Sequence, residues 1–255
     1  MAELVELTPE AHGHLKLDTS AAVEVARRTH IMSLRVTEIS RAACEVPVFL
    51  TKSGQDGEWL ISAITSYELE KNLLVRDGKW QGIYQPSAMT TYPFFLMKHP
   101  TEEKQYTIGI DPEHAAFSKE DGEPLFEENK KAGAMLSRIT SVLQDDMRND
   151  VHTYQFCKYI DELGLIRSID VTVRYEGGSV NTLKGLNTID EAKLAGLSEE
   201  QFKDLREKNY LAPLYSLLIS LYQLNHLIRL HNEHSGSERV VQVSMGVEKD
   251  ESAAA

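Results

Sequence analysis

Three histidines and a glutamate near the C-terminal end could do metal chemistry: His226, His231, Glu233 and His234. His231-Asn232-Glu233 spells the His-x-Glu half of a 2-His-1-carboxylate iron site. His231 and His234, three apart, share one face of a helix. Iron sites of that kind sit on a β scaffold, whereas these residues follow a helical pattern. The expectation is therefore imidazoles interacting with a helix C-terminal dipole. His12 and His14 flank Gly13, a spacing that fits a weak metal pair or, as expected, an ordinary surface strand. Glu38, Glu70 and Asp111 end or edge apolar segments. Partial burial there raises a carboxylate's pKa toward general acid–base work; solvated surface carboxylates are the expectation for each. No Gly-rich phosphate loop, Gly-x-Ser-x-Gly elbow, dinucleotide fingerprint or His-Glu-x-x-His run occurs. Cys44 and Cys157 are too few and too far apart for a zinc site.

A different chemistry is concentrated between Glu70 and Phe94. Glu70, Asn72, Trp80, Tyr84, Tyr92 and Phe94 fall there, with Pro86 and Pro93. Tyr and Trp join apolar area to one polar tip, which suits ligand pockets and interfaces. An aromatic core beside a hairpin, its exit stiffened by proline, is the structural reading of the same residues.

The elements that must position these side chains read as a mixture. Met32–Val36 alternates like a half-buried strand, Thr37–Ala43 reads as a short helix, and Val46–Leu50 and Trp59–Ile64 as strands. Asp77-Gly78 between Leu73–Arg76 and Lys79–Gln81 is a two-residue hairpin turn. Tyr106, Ile108 and Ile110 alternate into another strand, closed by Asp111-Pro112. Met135 to Leu163 repeats at helical spacing, as one helix or two abutting ones, with Gly164 as its cap. Ile169 to Tyr175 leads into a second hairpin at Gly177-Gly178. Ser198 and Gln201 have capping-box spacing, and Leu214 to Ile228 reads as one apolar helix. The fold class is α+β: a mostly antiparallel sheet of short strands and hairpins packed against several helices, including a long apolar C-terminal helix. One domain over 1–234 is expected, with 235–255 as an extension, partly strand-like and then frayed.

Composition bounds the partners. The 255 residues carry 27 basic and 39 acidic side chains, a net charge of −12. No positive face for phosphates is evident, so nucleic acid is set aside. Twelve acidic against six basic residues lie between Thr101 and Asp150, read as a solvated face or a dock for a basic partner. No apolar run is long enough to span a membrane. Acidic residues stand where a secretory signal needs basic ones, so a cytoplasmic location is expected.

The segment that holds the aromatics also carries a resemblance. Glu70-Lys71-Asn72-Leu73, Asp77-Gly78-Lys79-Trp80, Tyr84-Gln85-Pro86 and Tyr92-Pro93-Phe94 resemble the SapC family of bacterial proteins. Glu38, Val46-Pro47-Val48-Phe49, Gly122 through Leu125-Phe126, Leu163-Gly164-Leu165-Ile166, Gly185 through Leu197, Leu205 and Ser220-Leu221 extend it. The likeness runs from about Glu6 to Asn232. It implies an association with bacterial surface-layer proteins and genes set near outer-membrane receptors, halogenase-like flavoenzymes and cupin-like oxygenases. It brings no catalytic residues.

The expected function is a binding or accessory protein. Through Glu70, Asn72, Trp80, Tyr84, Tyr92 and Phe94 it would recognise a peptide, a small ligand or a partner enzyme. An enzyme acting on a peptide or small metabolite, metal-assisted by the C-terminal histidines, is the alternative; a surface-layer-associated role is a third. The residues specify neither a cofactor nor an oligomeric state.

Overall fold

The computed structural model describes residues 4–98, 106–233 and 236–247. Along the chain its main strands are β1 (Ile31–Leu34), β2 (Val48–Lys52), β3 (Trp59–Ile64), β4 (Val75–Arg76), β5 (Lys79–Trp80), β6 (Phe95–Lys98), β7 (Tyr106–Ile110), β8 (Ile166–Tyr175), β9 (Val180–Ile189) and β10 (Val240–Val247). The helices that matter here are α1 (Ala21–Arg27), α2 (Ile39–Ala42), α3 (Ser87–Thr91), α4 (Ala134–Glu162), α5 (Glu191–Ala195), α6 (Glu199–Glu207), α7 (Leu211–Ser220) and α8 (Gln223–Glu233). The architecture is α+β, with every strand pair antiparallel.

Six strands form the main sheet, in the order β10-β8-β9-β2-β3-β1. Alternation along β2 sends Val48 and Leu50 to one face and Phe49 to the other. The first two join a core with Ile61, Ala63, Phe156, Ile160 and Leu214. Phe49 joins a second core with Val171, Val173, Leu224 and Leu227. A third core, around Leu15, Phe94, Ile110 and Leu125, takes Leu136, Ile139 and Leu143 from the first half of α4. At 29 residues α4 is one continuous helix, long enough at about 1.5 Å per residue to reach from the third core to the first. Gly164 (φ 65°) turns the chain out of it.

The sheet is two three-stranded halves joined by a narrow seam. Between β9 and β2 only Asn187 and Leu50 pair, and the Asn187 amide reinforces the joint by donating to the Leu50 carbonyl at 3.2 Å. Beyond it, the Ser220 hydroxyl stands where a neighbouring strand would be. It accepts from the Val48 N–H at 3.0 Å and lies 3.2 Å from the Val48 carbonyl. On the other side of β9 the register to β8 slips between Ile169 and Val171, where Gly185 (φ 75°) supplies the left-handed residue that a bulge needs.

Two local expectations meet their geometry closely. Asp77 (φ 50°) and Gly78 (φ 67°) both take positive φ in the turn between β4 and β5. The Ser198 hydroxyl and Gln201 side chain cap each other's N–H groups at 3.2 and 3.0 Å. One does not. The long apolar C-terminal helix is broken into α7 and α8 by a turn at Leu221–Tyr222. Bonds of the tighter i to i−3 kind hold that turn, Leu221 N–H to Leu218 and Tyr222 N–H to Ile219. The strand-like part of the 235–255 stretch becomes β10, the sixth strand of the main sheet. Residues 248–255, expected to fray, lie outside the described residues.

Candidate functional site

The six residues of the aromatic segment are divided among five settings. Asn72 is buried and works on the backbone. Its amide donates to the Thr29 carbonyl at 3.1 Å and its Oδ1 accepts from the Leu74 N–H at 2.9 Å, which fixes the approach to the β4–β5 hairpin. Glu70, two residues earlier, is exposed at φ 52°. Trp80 and Tyr84 face inward toward Leu34, Val46 and Leu74, beside a gap of only about 10 Å³. Phe94 is buried in the third core, edge-on to Phe117 at 5.5 Å. Tyr92 is half-buried, its hydroxyl 2.8 Å from His114 Nε2, and with Gln85, Met89 and Arg138 it lines an open cleft of about 200 Å³.

Between Trp80 and the Tyr92 cleft runs the loop Gln81–Pro86, and two buried glutamates hold it. Glu45 Oε2 accepts from the Ile83 N–H at 2.8 Å and lies 3.5 Å from the Tyr84 nitrogen. Glu38 is 3% exposed. It accepts the Tyr84 hydroxyl and, at 2.9 Å, the Ser87 N–H that opens α3; its other oxygen accepts from the Arg35 N–H at 2.8 Å. Trp80 adds a clamp, its indole N–H donating to the Tyr84 carbonyl at 3.1 Å. Gly82 lies flat on that ring, so close that a Cβ there would sit 2.7 Å from Nε1. The Arg41 guanidinium covers the Tyr84 ring 4.8 Å from its centre. At the tip of this pinned loop Ile83 is 88% exposed.

Glu38 therefore is not the solvated carboxylate that the sequence predicts: the short 3-10 turn Val36–Glu38 aims it inward. It belongs to a polar cluster in which Arg35 donates to the Ser87 hydroxyl at 2.7 Å and to Asp150 at 2.7 Å, and reaches Asp146 at 3.3 Å. Burial pushes the Asp146 carboxyl above the usual range, more than Arg35 draws it down. Its Oδ2 is buried with the Arg35 guanidinium 3.3 Å away as an ion-pair contact, without the geometry of a hydrogen bond. Burial and Glu38 together push the Tyr84 hydroxyl well up, so it stays a proton donor.

Two of the histidines, His231 and His12, take structural positions. His231 is fully buried, not at a solvated helix end, and its Nε2 lies 2.8 Å from the Glu238 carbonyl just before β10. His234 lies outside the described residues. His12 is buried at the end of a short helix, where its Nδ1 accepts from the Thr8 N–H at 3.1 Å, which corrects the surface-strand expectation. Among the described residues no cluster of three or more His, Cys, Asp or Glu could hold a metal, and no helix is long and apolar enough to cross a membrane. Cys44 is exposed; Cys157 is buried, its thiol pushed up to about 12.

The family model for SapC matches residues 7–227. The chain belongs to the SapC family. No curated protein and no solved structure matches it. Within this SapC chain, sequence reasoning missed Glu45 and Ile83. Glu45 leaves one trace, a lone acid in the run Ala42-Ala43-Cys44-Glu45-Val46-Pro47-Val48. Ile83 leaves none, because exposure of a single apolar residue in a loop has no pattern.

Proposed function

We propose that this SapC-family protein is a binding protein that recognises a polypeptide partner with the loop Gln81–Pro86 and the Tyr92 cleft beside it. The observation that carries this reading is the pairing of a rigid loop with an exposed apolar tip. Two buried carboxylates, Glu38 and Glu45, are committed to the loop's backbone and to Tyr84, yet the loop presents Ile83 to solvent. Desolvating a carboxylate is costly unless it is well bonded. A loop held at that cost is preorganised, and preorganisation lowers the entropy lost on binding. Trp80, Tyr84 and Asn72 then act as the scaffold of the surface, while Ile83, Gln85 and Tyr92 form its contact side. In this reading Ile83 is the anchor, and the 200 Å³ cleft lined by Gln85 and Tyr92 receives a side chain of the partner.

The test is a photo-crosslinking residue at position 83 in the native cell, followed by affinity measurement with the purified partner it captures. Ile83→Asp is expected to weaken binding at least about tenfold, the signature of an anchor residue, with an unchanged melting temperature. Tyr92→Ala should weaken it less. Unaltered affinity in Ile83→Asp defeats the proposal.

A further inference from the structure

The main sheet parts on one side of its seam. Among the described residues, Asn187 and Leu50 alone pair β9 with β2. Backbone groups alternate sides along a strand. The Val48 N–H turns to the Ser220 hydroxyl and the Leu50 carbonyl to the Asn187 amide, both away from β3. Lys52, two residues on, therefore aims its N–H and C=O the same way. A continued ladder would set Gly185 opposite it, but no pair forms there. The Gly185 carbonyl takes the Asn187 amide at 3.3 Å. Among the described residues nothing takes the Lys52 N–H or C=O.

The parted strands open onto a cleft of about 670 Å³. Thr51 and Lys52 of β2 line it, as do Lys184, Gly185, Leu186 and Asn187 of β9. Neighbours along a strand point to opposite faces. A cleft lined by runs of neighbours is therefore walled by strand edges and not by one sheet face. A Cβ on Gly185 would meet nothing within 4 Å, so the β9 edge is open to close approach. The volume is that of a ligand site, and the cleft shares no residue with the one beside Tyr92.

Its charge runs against that of the chain. Lys52 and Lys184 are exposed, and neither forms an ion pair among the described residues. The Lys52 ammonium rests 4.7 Å from the centre of the Trp59 ring, another residue of the wall. That contact holds the ammonium at the cleft and leaves its N–H donors free. Asp161, near the end of α4, is the single acid in the wall. Two lysines face one aspartate here, in a chain of net charge −12.

We propose that this cleft binds the carboxyl end of an extended peptide. The terminal carboxylate lies between Lys52 and Lys184, the main chain behind it bonds to the free Lys52 N–H and C=O, and the last side chain rests on Trp59. Three features select this guest. Lys52 offers a donor and an acceptor on one strand edge, and peptide main chain matches both at strand spacing. A phosphate satisfies the lysines but leaves the carbonyl bare. The wedge is closed at Asn187 and Leu50, so it admits the end of a chain and not a strand passing through, and an end brings the carboxylate that the lysines lack.

The test offers the full chain acetylated tripeptides with each amino acid in turn at the last position, as free acids and as C-terminal amides. A concentration of about 1 mM lets weak affinities register. Native mass spectrometry reads which peptides are retained, and calorimetry their affinities. Free acids should be retained, and their amides should bind at least about tenfold more weakly, because the charge-assisted bonds are lost. Lys52→Met and Lys184→Met change exposed side chains, so each should melt like the parent and bind the retained acids at least about tenfold more weakly. Hydrogen exchange supplies a reading independent of substitution: the Lys52 amide should exchange more slowly when a retained acid is added. Free acids that are not retained, amides that bind equally well, affinity that survives both substitutions, or an unmoved Lys52 amide overturns the proposal. Inorganic phosphate bound where the acids are not overturns it too.

Discussion

Asp146 and Glu38 are buried carboxylates in one cluster, and they differ in what their oxygens touch. Glu38 spends both on backbone N–H groups and the Tyr84 hydroxyl, whereas the buried Asp146 Oδ2 has only the ion-pair contact of Arg35 at 3.3 Å. Folding raises the Asp146 pKa, so the fold favours its protonated form. The stability this brings is complete below the unfolded value of about 3.9 and is lost as pH rises through the higher folded value. At pH 7 the charged form is therefore a burden, only partly relieved by Arg35 and the Ser87 side chain. Asp146→Asn should denature at the same or higher urea concentration than the parent at pH 7, and the two should converge when the pH falls below about 4. A clear loss of stability in the variant at pH 7 contradicts the burial argument. Residues of this kind were only half legible in the sequence. Glu38 stood out as an acid beside an apolar run, but whether such a residue meets water or a Tyr 46 positions away depends on contacts that no local pattern encodes.

Among the elements, α7 and α8 teach the same lesson about distance. Leu214, Leu217, Leu218, Leu221, Leu224 and Ile228 keep helical spacing through the break, and neither glycine nor proline marks it. The turn is tied to Ser220, whose hydroxyl serves β2 across 172 positions and also lies 2.7 Å from the Leu217 carbonyl. The hairpins and the Ser198 cap were legible because their causes lie within three or four residues. Ser220→Ala leaves the buried Val48 N–H without an acceptor and should cost about 1–3 kcal/mol, measured by urea denaturation. Ser220→Thr, which keeps the hydroxyl, should recover part of that loss if its extra methyl is accommodated. An alanine variant as stable as the parent would show that the hydroxyl is not needed at the gap.

At the scale of the whole molecule, alternation and helical spacing were enough for the α+β class, since each hairpin and helix answers to its own stretch of chain. The order of strands in the sheet was not legible: β9 lies beside β2 through one residue pair, too faint a link to mark either sequence. That link has a consequence for motion. Local openings in a folded protein spread through shared hydrogen bonds, and here the ladder is nearly interrupted at its centre. Ile61→Val removes a methylene from the β2–β3 side and should lower the protection of amides in β1, β2 and β3, with those of β8 almost untouched, in native-state hydrogen exchange. Equal losses on both sides would show that the cores beneath, and not the ladder, set the cooperative unit. A sheet so lightly sewn behaves as two doors on a common frame: either leaf can loosen while the other stays latched.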